Sequence, residues 1–419
     1  MRTSRKARTR ASLLVLAVVT WLGSATPVTN PYVVAEAPAD ASALAAGANV
    51  GEASSPASAE APMEASALAV AAPTAAVPAV APAGATAVWP IAGRETPCPY
   101  CDVAGAAFGE AGTSIDVLLA SLDPQGDPVA DALVAAAARG VSVRVLLDQS
   151  DFEPSITEKA AKAIEYLVAH GVEARLDDPA ITTHAKLAIV DRVTVIVGST
   201  NWNSYALFEH RQADVRIDDE RVGAAFAAFF DRLWMDPAAK LPMTLDGVGI
   251  PAEGPVLVAL PDAGQSTLYG SVVVDLLAGA KESVHAVLYR VSVYPQFEDS
   301  ATTDLVSALI AAARRGLEVR ALLDDCSFYA DSAKANLESA IYLYQSGVDV
   351  RFDDPAVTTH AKLLVIDGET VVLGSTNWNY YSVERNIEAN VALLRMPEIA
   401  RPFEVYFAGL WAEGRSIVP

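Results

Sequence analysis

The chain has 419 residues, 52% of them apolar, enough to bury one large core or two of roughly 150 residues each. Its net charge of −21 argues against DNA or RNA as the main partner, because phosphate contacts supply most of the non-specific affinity of a nucleic-acid protein. Three cysteines are too few for a disulfide framework.

The chain opens with Arg2, Arg5, Lys6, Arg8 and Arg10 and no acid, followed by an apolar stretch over residues 11–22 and then Gly23-Ser24-Ala25. That is the layout of a secretory signal, and the stretch is shorter than the roughly 20 residues that span a bilayer. Residues 1–25 are therefore expected to be a cleaved signal rather than an anchor, and the protein to be secreted or held in the cell envelope. Over residues 26–88 the composition narrows to Ala, Pro, Ser, Glu and Val, which predicts a disordered tether. Cys98-Pro99-Tyr100-Cys101 has the spacing of a thiol redox motif. Ala104-Gly105-Ala106-Ala107 offers neither the strand nor the helix such a motif needs, so a local structural disulfide is expected. Cys326 reads as an ordinary part of the second unit.

From there the chain repeats itself. Residues 177–203 return at 353–379, a shift of 176, with 19 of 27 positions identical, and most of the differences are swaps among apolar residues. The same shift maps Gly140 onto Gly316 and Asp148 onto Asp324, so the repeat spans whole domains, expected at residues 89–245 and 246–419. In the first copy a helix over 130–139 is stopped by Gly140, and a strand follows over 141–147. A second helix over 158–169 is stopped by Gly171, and a strand over 172–176 follows it. Strands alternating with helices imply an α/β fold with a mixed sheet in each unit, the two units related by a pseudo-twofold axis.

His184 and Lys186 lie two apart in a β-branched stretch, so on a strand both side chains leave the same face. The chain then turns near Asp191-Arg192, returns over 193–197 and ends in Gly198-Ser199-Thr200-Asn201. The second copy offers His360, Lys362, Asp367, Gly374, Ser375 and Asn377 at the same spacing. The His-x-Lys, Asp and Gly-Ser-x-Asn pattern, present twice in equal repeats, closely resembles the phospholipase D superfamily, over about 330 residues that exclude the tether.

That resemblance implies two phospholipase D-like units whose motifs meet at their interface, both in one chain acting as a monomer. It also implies a reaction in which one motif histidine attacks phosphorus and the other protonates the leaving group, with no metal and no cofactor. His184, Lys186, His360, Lys362, Asn201, Asn377 and Glu388 are the expected catalytic residues. Ser199, Ser375, Asp191, Asp367 and Gln212 are grouped as phosphate-binding or supporting. The chemistry is consistent: two ammonium groups and amide donors can hold the non-bridging oxygens of a diester, and imidazole can act as nucleophile, base or acid near neutral pH. An aspartate at a hairpin turn is nevertheless expected to cap that turn rather than touch substrate.

The repeats differ 28 residues past each histidine, where Glu388 follows His360 but Gln212 follows His184. The expectation is that Glu388 stabilises a protonated His360, the first acid, while His184 beside Gln212 (or reached by Glu209 or Asp214) stays neutral and is the nucleophile. His170, His210 and His285 do not recur at the repeat shift and read as satisfied core histidines. Trp202 and Trp378 read as core or pocket wall, and the Asp-Asp-Pro segments as loop punctuation.

Phospholipid, presented by a membrane surface, is the expected diester substrate. The alternatives are an exported nuclease, for which basic residues outside the motifs are few, a transferase of the cardiolipin-synthase type, and a surface binding protein on a decayed scaffold.

Overall fold

The structure is a computed structural model that describes residues 87–93, 98–123, 127–149, 154–239, 253–264, 266–294, 300–325 and 328–417. By its contacts the chain divides after residue 72, and every described residue belongs to the second unit. The expected signal, the tether up to residue 86, the boundary at 245/246 and Cys326 lie outside the described residues.

The first half runs β1 (Ala87–Gly93), α1 (Pro99–Glu110), β2 (Ser114–Leu119), α2 (Pro128–Ala138), β3 (Ser142–Leu147), α3 (Pro154–Ala169), β4 (Glu173–Leu176), β5 (Lys186–Val190), β6 (Thr194–Gly198), α4 (Ser204–Phe208), β7 (Gln212–Asp218) and α5 (Glu220–Met235). The second half repeats this as β8 (Val256–Ala263), α6 (Leu268–Gly279), β9 (Ser283–Leu288), α7 (Ala301–Arg314), β10 (Glu318–Leu323), α8 (Ala330–Gln345), β11 (Asp349–Phe352), β12 (Lys362–Ile366), β13 (Thr370–Gly374), α9 (Tyr380–Glu384), β14 (Ile387–Leu394) and α10 (Pro397–Glu413). A short β15 (Arg415–Ser416) closes the chain's last sheet against β11.

Each half forms one mixed sheet, in the orders β1-β7-β6-β5-β2-β3-β4 and β15-β11-β10-β9-β12-β13-β14-β8. β2, β3 and β4 run parallel, as do β9, β10 and β11, because helical crossovers join them, while the hairpins β5-β6 and β12-β13 are antiparallel. The helix stops are where glycine predicts them: Gly140, Gly171, Gly316 and Gly347 all have φ between 85° and 100°, open only to a residue without a Cβ. β1, which the composition of the tether concealed, starts at Ala87 and pairs along the whole of β7.

The inner faces of both sheets share one apolar core with α5 and α10. It runs from Leu187, Val197 and Val215 through Phe226, Phe230, Phe403 and Phe407 to Leu363, Leu373 and Val391. The outer face of each sheet has its own core under the other helices. A core common to both sheets fixes the halves against each other, and the motif strands β5 and β12 lie in its centre. No helix among the described residues is long and apolar enough to cross a membrane.

Candidate active site

His184 does not lie on β5, as its spacing to Lys186 suggests, but in the extended segment before it. There its amide donates to the Ile387 carbonyl (2.8 Å), and the Ile387 amide donates back to Thr182 (2.9 Å). The second half mirrors this: the His360 amide donates to the Arg211 carbonyl (2.8 Å) and the Arg211 amide to Thr358 (2.9 Å). Each histidine segment thus pairs with the strand start of the opposite half. Buried carboxylates hold it from its own half: Asp148 accepts from the Thr183 amide (2.7 Å) and Asp324 from the Thr359 amide.

This crossed pairing overturns the expected partners. Glu388 is brought to His184, with Nδ1 3.0 Å from Oε2 and 3.1 Å from Oε1, while the His360 Nδ1 faces the Ser199 carbonyl (3.0 Å) and Gln212 Oε1 (3.2 Å). The reason is geometric: Ile387, just before Glu388, bridges Thr183, and Arg211, just before Gln212, bridges Thr359, each next to the other half's histidine. Neither Glu209 nor Asp214 is among the His184 partners; the Asp214 carboxylate accepts from the Thr200 amide and hydroxyl. All partners of the two Nδ1 atoms are acceptors, so Nδ1 carries the proton in both rings and Nε2 is left to meet a substrate.

Lys186 and Lys362 are 1% and 3% exposed, and each ammonium donates to the carbonyl of its own motif histidine. Burial pushes Lys186 down to about 8, against the pull of Glu388, Asp148 and Asp214. His184 is lowered by burial, with Glu388 working against that, and Lys186 and Lys362 adding to it. His360 lies well below the ordinary histidine range, through burial and then the charges of Lys362 and Lys186. Glu388 is fully buried; burial raises it, but His184, Lys186 and the Ser375 hydroxyl outweigh that and keep it ionised. Charges therefore act across the interface in both directions, which places the two motifs at one site.

The other expected residues divide. Ser199 and Ser375 support rather than bind: their hydroxyls donate to Gln212 Oε1 (2.8 Å) and to Glu388 Oε2, and accept from the Ala213 and Ala389 amides (both 2.9 Å). The Oδ1 atoms of Asn201 and Asn377 are buried with no hydrogen-bond partner, at the strand ends beside these serines. Gly198 and Gly374 are required by close approach, since a Cβ would stand 2.5 Å from the Ala213 carbonyl and 2.6 Å from that of Ala389.

Asp191 and Asp367 are not at the site. They sit at the far ends of β5 and β12, with φ of 51° and 54°, and their carboxylates collect the amides of Gly112, Thr113 and Ser114 and of Lys281, Glu282 and Ser283. Four hydrogen bonds outweigh burial and push Asp191 down to about 2. The Asp-Asp-Pro segments are indeed punctuation: Asp177 and Asp353 cap the Gln149 and Asp325 amides, and Asp178 and Asp354 turn the chain. Among the described residues no three His, Cys, Asp or Glu side chains are grouped to hold a metal ion.

Trp202 and Trp378 are fully buried core, and their Nε1 atoms donate to the hydroxyls of Tyr100 (2.8 Å) and Tyr269 (3.0 Å). Cys98 and Cys101 form the expected disulfide. The helix that the alanine-glycine run seemed to deny is present as α1, starting at Pro99 with Cys98 as its N-cap. Of the three histidines read as core, His170 is exposed and bonded to the Tyr166 carbonyl (2.7 Å). His285 is satisfied by Glu404 (2.7 Å) and Glu318 (3.0 Å). His210 is at the site, its ring centroid 6.2 Å from that of His360. Tyr289, which nothing in the motif spacing marks, meets the His360 ring at 4.6 Å.

The family described as "Cardiolipin synthase, PLD-like domain" matches this chain twice, over residues 106–234 and 273–411. The chain is similar to a mitochondrial cardiolipin hydrolase of Xenopus tropicalis, 34% identical over 113 residues (26% of this chain, 51% of that protein). It is also similar to a phospholipase D of Rickettsia typhi, 31% identical over 131 residues (31% and 57%). The chain spans about half the length of the curated relatives it matches. Among solved structures, a phosphatidylserine synthase of Haemophilus influenzae shares the fold, with a TM-score of 0.62 at 13% identity over 79% of this chain and 87% of its own. The two family matches together take in more than half of the residues and one histidine-lysine motif each, and so the chain belongs to the phospholipase D superfamily.

Proposed function

We propose that the chain hydrolyses phospholipid head groups through a phosphohistidine on His184, with His360 as acid and then base. The observation that carries this reading is the unequal support of the two rings. Once Nε2 of His184 bonds to phosphorus the ring stays cationic for the life of the intermediate, and the buried Glu388 carboxylate at its Nδ1 offsets that charge. His360 needs only to pass a proton, and with a neutral Gln212 and a carbonyl at Nδ1 its conjugate acid gives that proton up readily.

In the first step the His184 Nε2 lone pair forms the P–N bond and the P–O bond to the head group breaks. The leaving oxygen takes the proton of His360 Nε2, a proton acquired when the anionic diester enters and raises the ring's basicity. In the second step neutral His360 removes a proton from water, the new P–O bond forms, and the P–N pair returns to His184. Lys186 and Lys362 neutralise the non-bridging oxygens throughout. The nucleophile keeps its expected number, but for the opposite reason: it is the histidine with the carboxylate.

The names of the similar cardiolipin hydrolase and phospholipase D support a phospholipid substrate. Export is part of the proposal, supported by the Cys98–Cys101 disulfide, which suits an oxidising compartment. The test is choline release from phosphatidylcholine vesicles with a chelator present, comparing the protein with His184→Ala, His360→Ala. Release by the protein and none by the variant is expected. No release from either, and no cleavage of phosphatidylethanolamine, phosphatidylglycerol or cardiolipin vesicles, with both folded, sinks the lipid reading.

Transfer to an alcohol in place of water is a second reading, favoured by the cardiolipin-synthase description of the matched family. Adding glycerol or ethanol to the same assay separates the two through the phosphatidyl-alcohol product.

A further inference from the structure

The two halves share their motifs and differ in what stands beside them. Tyr289 follows β9, and its amide donates to the Ala361 carbonyl (3.1 Å). The same place in the first half is Ala120, whose amide donates to Ala185 (3.1 Å). His210 precedes β7, and its amide donates to Tyr205 (2.9 Å). The counterpart is Asn386, whose amide donates to Tyr381 (2.9 Å).

The Tyr289 ring stands edge to face with His360 and lies under Lys362, whose ammonium is 4.7 Å from its centroid. The His210 ring is tilted against that of His360, with centroids 6.2 Å apart, and is in turn stacked on Tyr205, with centroids 6.3 Å apart. Asn386 is instead turned onto Glu388 (3.2 Å). One histidine is therefore walled by two rings, and the other has a methyl group and an amide in the same places.

A diester can enter a pseudo-twofold site either way round, and only an inequality between the two ends selects one. We propose that Tyr289 and His210 form the wall of the leaving-alcohol subsite and so set the direction of the substrate. The compact head-group alcohol sits against these rings at His360, and the bulky lipid side passes Ala120 and Asn386 at His184. Volume is the physical reason: two rings occupy space that a methyl group and an amide leave to the substrate, which favours a short alcohol over a second large substituent. Burial and the Lys362 charge push His210 down to about 4, so it stands neutral beside Lys362 and can hydrogen-bond an alcohol oxygen without adding charge.

The proposal rests on the head-group reading above, and its test is a ratio. We would measure kcat/KM on phosphatidylcholine and on phosphatidylinositol, whose leaving alcohol is a bulky ring. The proteins are the unaltered chain, Tyr289→Ala with His210→Asn (the residues of the first half), His210→Asn alone, and Tyr289→Phe. The double variant should raise the inositol-to-choline ratio at least tenfold, His210→Asn alone at least threefold, and Tyr289→Phe should leave it unchanged. Phosphate should remain trapped on His184 in all of them. A merely structural role would lower both rates together, so an unchanged ratio in the double variant, or in His210→Asn should the double variant not fold, overturns the proposal. If the unaltered chain cleaves no phospholipid, the head-group reading fails by itself. The wall is then tested on methyl 4-nitrophenyl phosphate against methyl 4-methylumbelliferyl phosphate, with the same shift expected and an unchanged ratio again decisive against it.

Discussion

Glu388 belongs to the second half of the chain and holds the histidine of the first, its carboxylate 3.0 Å from Nδ1 of His184. The pair crosses the interface, so the site exists only when both halves are docked. Glu388→Gln keeps the shape and removes the charge that stabilises a cationic ring. Steady-state kinetics should show kcat/KM lower by roughly 10²-fold or more. Gln212→Ala, which removes a neutral acceptor shared by His360 and the Ser199 hydroxyl while the Ser199 carbonyl remains, should cost roughly 10-fold. Equal losses in the two variants would contradict the division of roles.

Lys186 gives the activity an alkaline limb. In the proposed reaction its charge is needed on the phosphoryl oxygens, and burial has brought it down to about 8, so the free protein loses that charge as pH rises through 8. A pH profile of kcat/KM should fall about tenfold per unit above that point. In kcat the limb should lie higher, because a bound anion favours the ammonium. A flat kcat/KM from pH 8 to 10 would count against the placement of Lys186 on substrate.

The helix starts α1 and α6 occupy equivalent places and are secured differently. In α6 the Asp262 carboxylate accepts from the Leu268 amide (3.0 Å) and the Tyr269 amide (2.9 Å); its counterpart before α1 is a glycine, Gly93, and there the Cys98–Cys101 disulfide closes the turn. Reduction, or Cys98→Ser with Cys101→Ser, should destabilise the fold by roughly 2 kcal/mol. Asp262→Ala should cost a similar roughly 1–2 kcal/mol. Denaturant unfolding followed by tryptophan fluorescence reports both, since Trp202 and Trp378 are bonded to the tyrosines these helix starts carry.

His285 should tie stability to pH away from the site. Burial opposes its charge, but Glu404 and Glu318 outweigh that, and its folded value is raised above 6.5. A raised histidine contributes stability that is fully present below about 6.5 and is lost as pH rises through the folded value. His285→Gln should therefore lower the melting temperature more at pH 6 than at pH 9. An equal loss at both would assign its role to the Phe407 stack at 4.5 Å instead.

Much of this was legible in the residues. The repeat, the motif pairs and the glycine stops are local patterns, set by backbone conformation and by strand periodicity, so they survive without knowledge of the fold. Asp191 and Asp367 could be read as turn residues because a hairpin turn favours aspartate locally, whereas the amides they collect lie 78 and 85 residues away and were not legible. The strand β1 was hidden because its composition continues that of the tether, and pairing with β7 is what makes it a strand.

The sequence by itself determined that two like units would carry two like motifs, and which histidines and lysines those were. It could not determine who serves whom, because an offset of 28 residues within one repeat says nothing about contacts between repeats. Docking through the shared core decided that Glu388 faces His184 and Gln212 faces His360, and that His210 and Tyr289 line the site beside His360. These are relations between residues 71–204 positions apart, and only burial of the apolar faces between the sheets brings such residues into reach.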